Sequence, residues 1–157
     1  MLGFRILHKR FGDPLFAPGL EGKWNKAGKR VLYCSDSIPL AFMENMIRRQ
    51  GVGFNEDYQL AFIDIPDSSS TQKIETSELQ TGWNNRGDYS KCQSLAEIWY
   101  NSRKTLTLVV PSAALSICYN YVINTTHPDF SKVKLVGLTP LLPDPRIDEI
   151  LRAAKNP

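Results

Sequence analysis

The chain has 157 residues, which is enough for one hydrophobic core and too few for two comfortable domains, so we expect one compact domain over residues 1–157. Apolar residues make up 42% and charged residues 22% of the chain, which excludes a disordered or low-complexity protein. The formal net charge of +3 suits an anionic small molecule or an acidic partner, but the basic residues are scattered and predict no nucleic-acid surface.

The cysteines and the amino terminus restrict the compartment and the chemistry. Cys34, Cys92 and Cys118 are odd in number, widely spaced and without a CxxC pair, so neither a disulfide framework nor a metal site is predicted. The amino terminus has basic residues after a very short apolar run, the reverse of a signal peptide. No apolar segment approaches the length of a membrane span. We therefore expect a soluble cytoplasmic protein with no membrane association.

The first 35 residues predict two strands joined by a long loop. Leu2–Leu7 is typical of a strand, and it carries Arg5 among apolar neighbours. Residues 11–22 hold two prolines and three glycines and predict an irregular loop of the kind that often forms a binding wall. Lys29–Cys34 is the next predicted strand, and it ends at Ser35.

A helix is predicted from Pro39 to Gln50. Its start and stop signals are Asp36, Ser37, Pro39 and Gly51. At about 100° per residue, Glu44 lies only about 40° from Leu40, on the apolar stripe of the helix. An inward carboxylate is costly unless it is bonded to a partner or a ligand. Glu44 is therefore part of a buried structural salt bridge or part of a ligand site.

The rest of the chain predicts more strands and a second main helix. Tyr58–Ile65 alternates as a strand, and residues 67–88 form a polar connection anchored by Trp83. Tyr89–Arg103 is a helix with Ser90 as its capping serine. Further predicted segments are a central strand at Leu106–Val110, a strand or extended loop at Asn120–Phe130, a strand at Lys132–Leu138 and a terminal helix over 144–154. Because the spacing is not a regular βαβ repeat, an α+β fold with a mixed sheet core and flanking helices is favoured.

Several familiar catalytic patterns are absent from the sequence. There is no GxSxG, and the two histidines lie near opposite ends, so a serine hydrolase is a weak hypothesis. No P-loop or GxGxxG is present. Paired glycosidase carboxylates stay open, although nothing suggests a second partner for Glu44. The turn of Lys23, Trp24 and Asn25 between two glycines can still bring backbone amides and a cation to a charged ligand.

A site for a dinucleotide fits these residues better. A cation in the first strand together with backbone amides can hold a pyrophosphate, and Tyr33 can stack on a flat aromatic ring. Breaking the bond between nicotinamide and ribose creates a positive sugar centre, which the carboxylate of Glu44 would stabilise. Spacing permits this hypothesis without establishing it.

These residues resemble the RES domain, the toxin half of bacterial RES/Xre toxin–antitoxin pairs. The hallmark of that family is a GGRWN turn, a strand ending in Y-x-S and a helix that reads L-A-x-x-E. The similar residues here are Glu21, Gly22, Lys23, Trp24, Asn25, Gly28, Tyr33, Ser35, Leu40, Ala41 and Glu44. Further similar segments follow in the family's order at Phe4–Ile6, Tyr89–Gln93, Val109–Ala113, Asn120–Phe130 and Asp144–Ile147.

The resemblance implies a fold similar to ADP-ribosyltransferases and a cytoplasmic toxin that consumes NAD as its substrate. Such a toxin hydrolyses or phosphorolyses NAD, or transfers ADP-ribose to a protein, and an Xre-type helix-turn-helix antitoxin holds it inactive. By this analogy Glu44 is the catalytic carboxylate, and either Ser90 or Ser112 completes the site. The implied NAD-binding residues are Arg5, Lys23, Trp24, Asn25, Tyr33 and Ser35. The sequence leaves a homo-oligomer open.

The chain departs from the family pattern within the turn. The family's arginine is Lys23 here, and the glycine before it is Glu21. Lysine keeps the positive charge but loses the planar fork that grips a pyrophosphate through two bonds, so Lys23→Arg is expected to tighten NAD binding. Three possibilities follow: an active enzyme with altered NAD use, a transferase with a distinct target, or a degenerate toxin that mainly binds its partner.

Overall fold

The structure, a computed structural model, describes residues 1–50, 54–67, 71–85 and 87–155. Its α-helices are α1 (Ile38–Arg48), α2 (Ser90–Ser102) and α3 (Pro145–Lys155). Its strands are β1 (Leu2–His8), β2 (Val31–Ser35), β3 (Tyr58–Asp64), β4 (Thr71–Lys73), β5 (Thr107–Pro111), β6 (Tyr119–Asn124) and β7 (Lys134–Pro140). Short 3₁₀ helices span Lys9–Phe11, Thr76–Glu78 and Pro128–Lys132.

The strands of the described residues form one mixed sheet. Its order is β4-β5-β6-β2-β1-β3-β7, with β4 and β5 parallel and every other neighbouring pair antiparallel. Because strands and helices do not alternate as βαβ units, the α+β prediction is confirmed. The segment predicted as a central strand is β5, which lies between β4 and β6.

The two faces of the sheet are covered differently. On one face α1 packs on β1 and β2, above a cluster of apolar side chains that extends to β3. On the same face α2 covers a second cluster, which includes side chains of β5 and β6. On the other face the loop after β1 and the 3₁₀ segment before β7 complete a third cluster. Its fully buried centre includes Leu32, Ala61, Ile63 and Ile123. Glu44, on α1, therefore lies on the helix-covered face of the sheet.

The pairing between β1 and β2 is confined to one end of these strands. Within the described residues the two strands are paired at Phe4 and Ser35, whereas β1 pairs with β3 from Leu2 to His8. On its other side, β2 pairs with β6 along its whole length, from Val31 to Ser35. The sheet thus has a weakly joined seam next to Tyr33, and α1 packs on both strands that border the seam.

The boundaries of the two main helices differ from the prediction in physical detail. α1 ends at Arg48 because Gln50 takes a left-handed φ of 56°, and Gly51, the predicted stop, lies outside the described residues. Ser37 is at the N-cap position, but its side chain makes no capping bond. The prediction that Ser90 caps α2 is wrong, because the carboxylate of Asp88 accepts the bond from the Ser90 amide.

The remaining elements follow the predicted order with local corrections. The polar connection contains β4 and a 3₁₀ turn, and Trp83 is buried in it, as expected for its anchor. The segment Asn120–Phe130 is a strand only as far as Asn124, because Pro128 starts a 3₁₀ helix whose first turn is capped by the His127 ring. Among the helices that the structure describes, none is long and apolar enough to cross a membrane.

Candidate functional site

Glu44 sits in the middle of α1 and reaches across the sheet to the ends of β5 and β6. Its Oε1 accepts a hydrogen bond of 2.7 Å from the hydroxyl of Ser112 and another of 2.7 Å from the amide of Asn120. Within the described part of the chain, Glu44 forms no ion pair and its Oε2 accepts no hydrogen bond. The salt-bridge alternative for this carboxylate is therefore excluded among the described residues, and one carboxylate oxygen is left for a ligand.

Ser112 follows directly on β5 and is completely buried. Its Oγ accepts the backbone amides of Ala114 and Leu115, each at 3.1 Å, while its proton is donated to Glu44. The hydroxyl thus caps a turn and orients the carboxylate with the same oxygen atom. Of the two serines proposed to complete the site, Ser112 is the one that the structure brings to Glu44.

Ser90 lies elsewhere, at the exposed start of α2. Its hydroxyl donates to the carboxylate of Asp88 at 2.7 Å. It borders an open surface groove of about 320 Å³ together with Leu79, Lys91 and Leu95. Among the described residues, no hydrogen bond or ion pair links Ser90 to Glu44, whereas Ser112 is bonded to it directly.

Tyr33 connects the glycine-rich turn to the sheet. Its hydroxyl accepts the backbone amide of Trp24 at 3.0 Å and donates to Oδ1 of Asn25 at 2.7 Å. Burial raises the pKa of Tyr33, while the bond from the Trp24 amide opposes that rise. A Cβ at Gly22 would stand 2.8 Å from both Tyr33 Oη and Asn25 Oδ1, which explains the glycine.

The side chains of Trp24 and Asn25 are buried and make their contacts within the protein. Trp24 is 3% exposed and packs in the cluster beneath α2, with its ring 6.3 Å from that of Trp83. Asn25 is 5% exposed, and its amide nitrogen donates to three backbone carbonyls of the turn and its flanks. The Gln93 amide nitrogen adds bonds to the carbonyls of Gly22 and Asn25. These residues build the turn, and Gln93 is a contributor that sequence reasoning missed.

Lys23 and Glu21, the two departures from the family pattern, are both engaged. The ammonium of Lys23 donates to the carbonyls of Trp83 and Asn85 at 3.1 and 3.2 Å. The carboxylate of Glu21 accepts the Gln93 amide at 3.0 Å. Two of the three N–H groups of the Lys23 ammonium are thus bonded to carbonyls, and its proposed role in gripping NAD stays a prediction.

Arg5 is held on the opposite side of β1 from Glu44. Since Phe4 is paired with Ser35 and neighbouring side chains alternate, Arg5 projects away from the face that α1 covers. Its guanidinium donates to the carbonyl of Pro14 at 3.0 Å. Burial lowers the pKa of Arg5, and the Cys34 thiol nearby counteracts this. Contact with a ligand near Tyr33 would have to pass through the seam between β1 and β2.

Arg48 was not singled out from the sequence, although it lies one helical turn after Glu44 on the same side of α1. It is exposed, and its guanidinium makes no hydrogen bond or ion pair with any described residue. Burial is the main cause of the lowered pKa of Arg5, and the positive charge of Arg48 lowers that pKa further. Burial also raises the pKa of Tyr33, and the charge of Arg48 opposes that rise. Arg48 is thus an available cation that faces the seam.

The sequence and fold comparisons agree with the motif evidence. The RES domain family matches residues 4–146, so the chain belongs to that family, and the resemblance inferred from its motifs is confirmed. It is 29% identical over 128 residues to the "Prs ADP-ribosylating toxin" of Sphingobium sp. (strain YBL2), covering 80% of each chain. It is 28% identical over 130 residues to "Toxin Res" of Pseudomonas putida, covering 82% of this chain and 86% of the relative.

A solved structure shares the fold. One chain of the M. tuberculosis MbcT–MbcA toxin–antitoxin complex superimposes with a TM-score of 0.75 at 20% sequence identity. The superposition covers 97% of this chain and 88% of the other. The sheet and helices described above are therefore the fold of a known structure, traced over almost the whole chain.

Proposed function

We propose that this protein is the toxin of a bacterial toxin–antitoxin pair and that it cleaves NAD at the bond between nicotinamide and ribose. The family match and the names of its relatives support the toxin role. The observation that carries the chemistry is Glu44, whose carboxylate is held through one oxygen by Ser112 and Asn120 while the other oxygen accepts no hydrogen bond from the described residues. Neutral donors orient the carboxylate without cancelling its charge.

The reaction needs this kind of carboxylate. As the glycosidic bond breaks, its electron pair leaves with nicotinamide, and the ribose carbon acquires positive charge. A fixed negative oxygen beside that carbon stabilises the developing charge more than it stabilises the substrate, which lowers the barrier. An acceptor oxygen then bonds to the ribose carbon and loses its proton. Water, phosphate or a protein side chain can be that acceptor, and the alternative to hydrolysis or phosphorolysis is ADP-ribosylation of a cytoplasmic protein.

The phosphates of NAD require cations, and Arg48 is best placed to supply one. Its guanidinium has no described protein partner, and its planar fork can give two parallel bonds to a phosphate. Lys23 is bonded to two carbonyls and Arg5 to one, so part of the donor capacity of each is already used by the protein. Tyr33 is half-buried, and the ring is available for stacking at the seam.

We further propose that a protein antitoxin of the Xre helix-turn-helix type binds this toxin in the cytoplasm. The similar fold in a solved toxin–antitoxin complex and the toxin names of the curated relatives support a protein partner. A toxin that destroys a common cofactor must be held inactive in the cell that makes it. The partner is therefore expected to limit access to Glu44.

The test is nicotinamide release from NAD by the purified protein, followed by identification of the second product. Glu44→Gln should fold normally and release nicotinamide about 10²-fold more slowly or less, since it removes the charge while keeping the shape. Glu97→Gln on α2, which removes an exposed carboxylate paired with Lys26, is the matched control and should keep full activity.

The second product distinguishes the acceptors. Free ADP-ribose indicates hydrolysis, a phosphorylated ADP-ribose formed only with inorganic phosphate indicates phosphorolysis, and label retained on protein after incubation with cell lysate indicates transfer. No nicotinamide release at any protein concentration, with Lys23→Arg equally inert, would refute the enzymatic proposal. A degenerate toxin that mainly binds its partner would then be the correct description.

A further inference from the structure

A row of polar side chains runs under α1 from β2 to the carboxylate of Glu44. The hydroxyl of Ser35 donates to Oδ1 of Asn120 at 2.7 Å, and Nδ2 of Asn120 donates to Oε1 of Glu44 at 2.7 Å. Ser35 and Asn120 are directly paired across β2 and β6, so their side chains lie on the same face of the sheet. Ser35 is only 4% exposed.

The donors and acceptors of this row fix the orientation of the amide. Because the Glu44 carboxylate can only accept, Nδ2 of Asn120 must face it, and Oδ1 then accepts the proton of the Ser35 hydroxyl. The reversed amide would place a carbonyl oxygen 2.7 Å from a carboxylate oxygen, two acceptors without a proton between them. That arrangement would leave the Asn120 carbonyl oxygen without a donor at a part-buried position, which is unfavourable.

We propose that Ser35 and Asn120 are a positioning pair for Glu44: Ser35 anchors the Asn120 amide through Oδ1, and the amide, together with Ser112, holds the carboxylate so that Oε2 is turned toward the substrate. The catalytic consequence rests on the proposed function, but the ionisation of Glu44 can be measured without it. Ser35 was predicted to bind NAD; in this proposal it never touches the substrate and acts through Asn120.

Two features make this pair more than a structural contact. Asn120 and Ser112 donate to the same oxygen, so the carboxylate cannot rotate to offer Oε1 to a ligand. Both donors are neutral, so they bind the carboxylate without cancelling its negative charge. An arginine in place of Asn120 would hold Glu44 equally well but would neutralise the charge that the reaction needs.

The other charged and titratable groups around Glu44 stay the same in the variants used as a test. Arg48 follows it on the next turn of α1 and Tyr33 lies on the same face of the sheet, whereas Arg5 projects from the opposite face of β1. Asp36 lies before α1, where its carboxylate accepts the backbone amide of Tyr119. A difference between variants at position 120 therefore reports the contact with Glu44.

Asn120→Asp is the decisive variant because it keeps the shape and replaces the donor by a second carboxylate. Two carboxylates at hydrogen-bond distance share one proton, so the pair should lose its last proton at higher pH. The acid limb of the kcat profile should move upward by about one pH unit or more, and the titration midpoint of the Glu44 carboxyl carbon, followed by ¹³C NMR, should move the same way. An unmoved limb and midpoint would overturn the proposal.

Ser35→Ala and Asn120→Ala separate positioning from simple packing. Each should lower kcat by roughly three- to tenfold with little change in KM, the cost of one hydrogen bond. Because Ser35 acts through Asn120, the double variant should lose no more activity than Asn120→Ala, whereas additive losses would contradict the proposed order of action. If Asn120→Asp does not fold, the kcat values of these three variants still test the proposal.

Asn124→Asp is the matched control. Asn124 lies on the same strand and face, is fully buried, and donates its amide to the Tyr100 carbonyl instead of a carboxylate. It should lose stability without moving the acid limb. If the wild-type protein releases no nicotinamide, the proposed function fails; the NMR midpoints of the wild type and Asn120→Asp still decide whether the positioning pair exists.

Discussion

The glycine-rich turn and the surroundings of Glu44 are both dense in polar side chains, yet they differ in what they leave unbonded. In the turn, Asn25, Gln93 and Lys23 all donate to carbonyl oxygens of the protein. Around Glu44 one carboxylate oxygen has no described donor, and Arg48 has no described partner. The first region is a closed scaffold, and the second has unused capacity to bind a ligand.

A conspicuous motif is therefore not by itself a contact surface. Glycine, lysine, tryptophan and asparagine in a short turn suggest a clasp for phosphate. In the structure their polar groups hold the turn against Tyr33 and α2. Substitutions in the turn should therefore act on stability, and substitutions on α1 should act on turnover or substrate affinity.

The largest expected effect is on the scaffold. Trp24→Ala should lower the free energy of unfolding by about 3–5 kcal/mol, because the ring is 3% exposed and packs among the core residues beneath α2. Chemical denaturation followed by circular dichroism measures this loss. Phe16→Ala, at a ring that is 53% exposed, is the control and should change stability by less than about 0.5 kcal/mol. A stable Trp24→Ala variant that cannot bind NAD would reverse our assignment of the turn.

An intermediate effect is expected at Arg48. Arg48→Ala should raise the KM for NAD on the order of tenfold, with kcat and melting temperature nearly unchanged, since a charge-assisted bond to phosphate is lost and no described protein contact is broken. Arg48→Lys should be intermediate. Steady-state kinetics together with a melting curve measures both quantities.

Arg49→Ala is the matched control for that prediction. It removes the same charge one residue later, but its guanidinium lies over the Tyr58 ring at 4.1 Å, on the β3 side of the helix. It should lower stability and leave the KM unchanged. Equal KM values for wild type and Arg48→Ala would show that the phosphates are bound elsewhere.

The smallest effect is expected at Lys23, where the structure changes the expectation drawn from the sequence. Because its ammonium is bonded to the carbonyls of Trp83 and Asn85, Lys23→Arg should alter the Kd for NAD by no more than about twofold. Isothermal titration with the inactive Glu44→Gln protein measures the affinity. A tenfold tighter Kd would instead support the original prediction of a phosphate clasp.

The parts of the fold that depend on local patterns could be predicted from the sequence. Alternating apolar residues gave the strands, and the helical stripe that includes Glu44 placed its carboxylate on the inward side of α1, where it is bonded. The end of α1 could not be predicted, because it depends on the left-handed backbone of Gln50. No local propensity signals that conformation at a glutamine.

The long-range parts of the site could not be predicted. Asn120 meets Ser35 and Glu44 only because β6 pairs with β2 across 85 residues of chain, a register that no local pattern encodes. Asn25 appeared to be open to a ligand because its partner Gln93 is 68 residues away. Arg48 could not be predicted as a site residue, because an exposed cation near the end of a helix is common in sequences. Only its place beside the seam between β1 and β2 makes it a candidate.

The limited pairing of β1 and β2 gives α1 a mechanical role. Asn45 donates its amide to the carbonyl of Ile6 in β1, while its neighbour Glu44 is bonded to Asn120 in β6. Two consecutive side chains of α1 thus link β1 on one side of the seam to β6 on the other side. The distance between these two parts of the sheet, and with it the space for a flat ring beside Tyr33, therefore depends on Glu44 and Asn45.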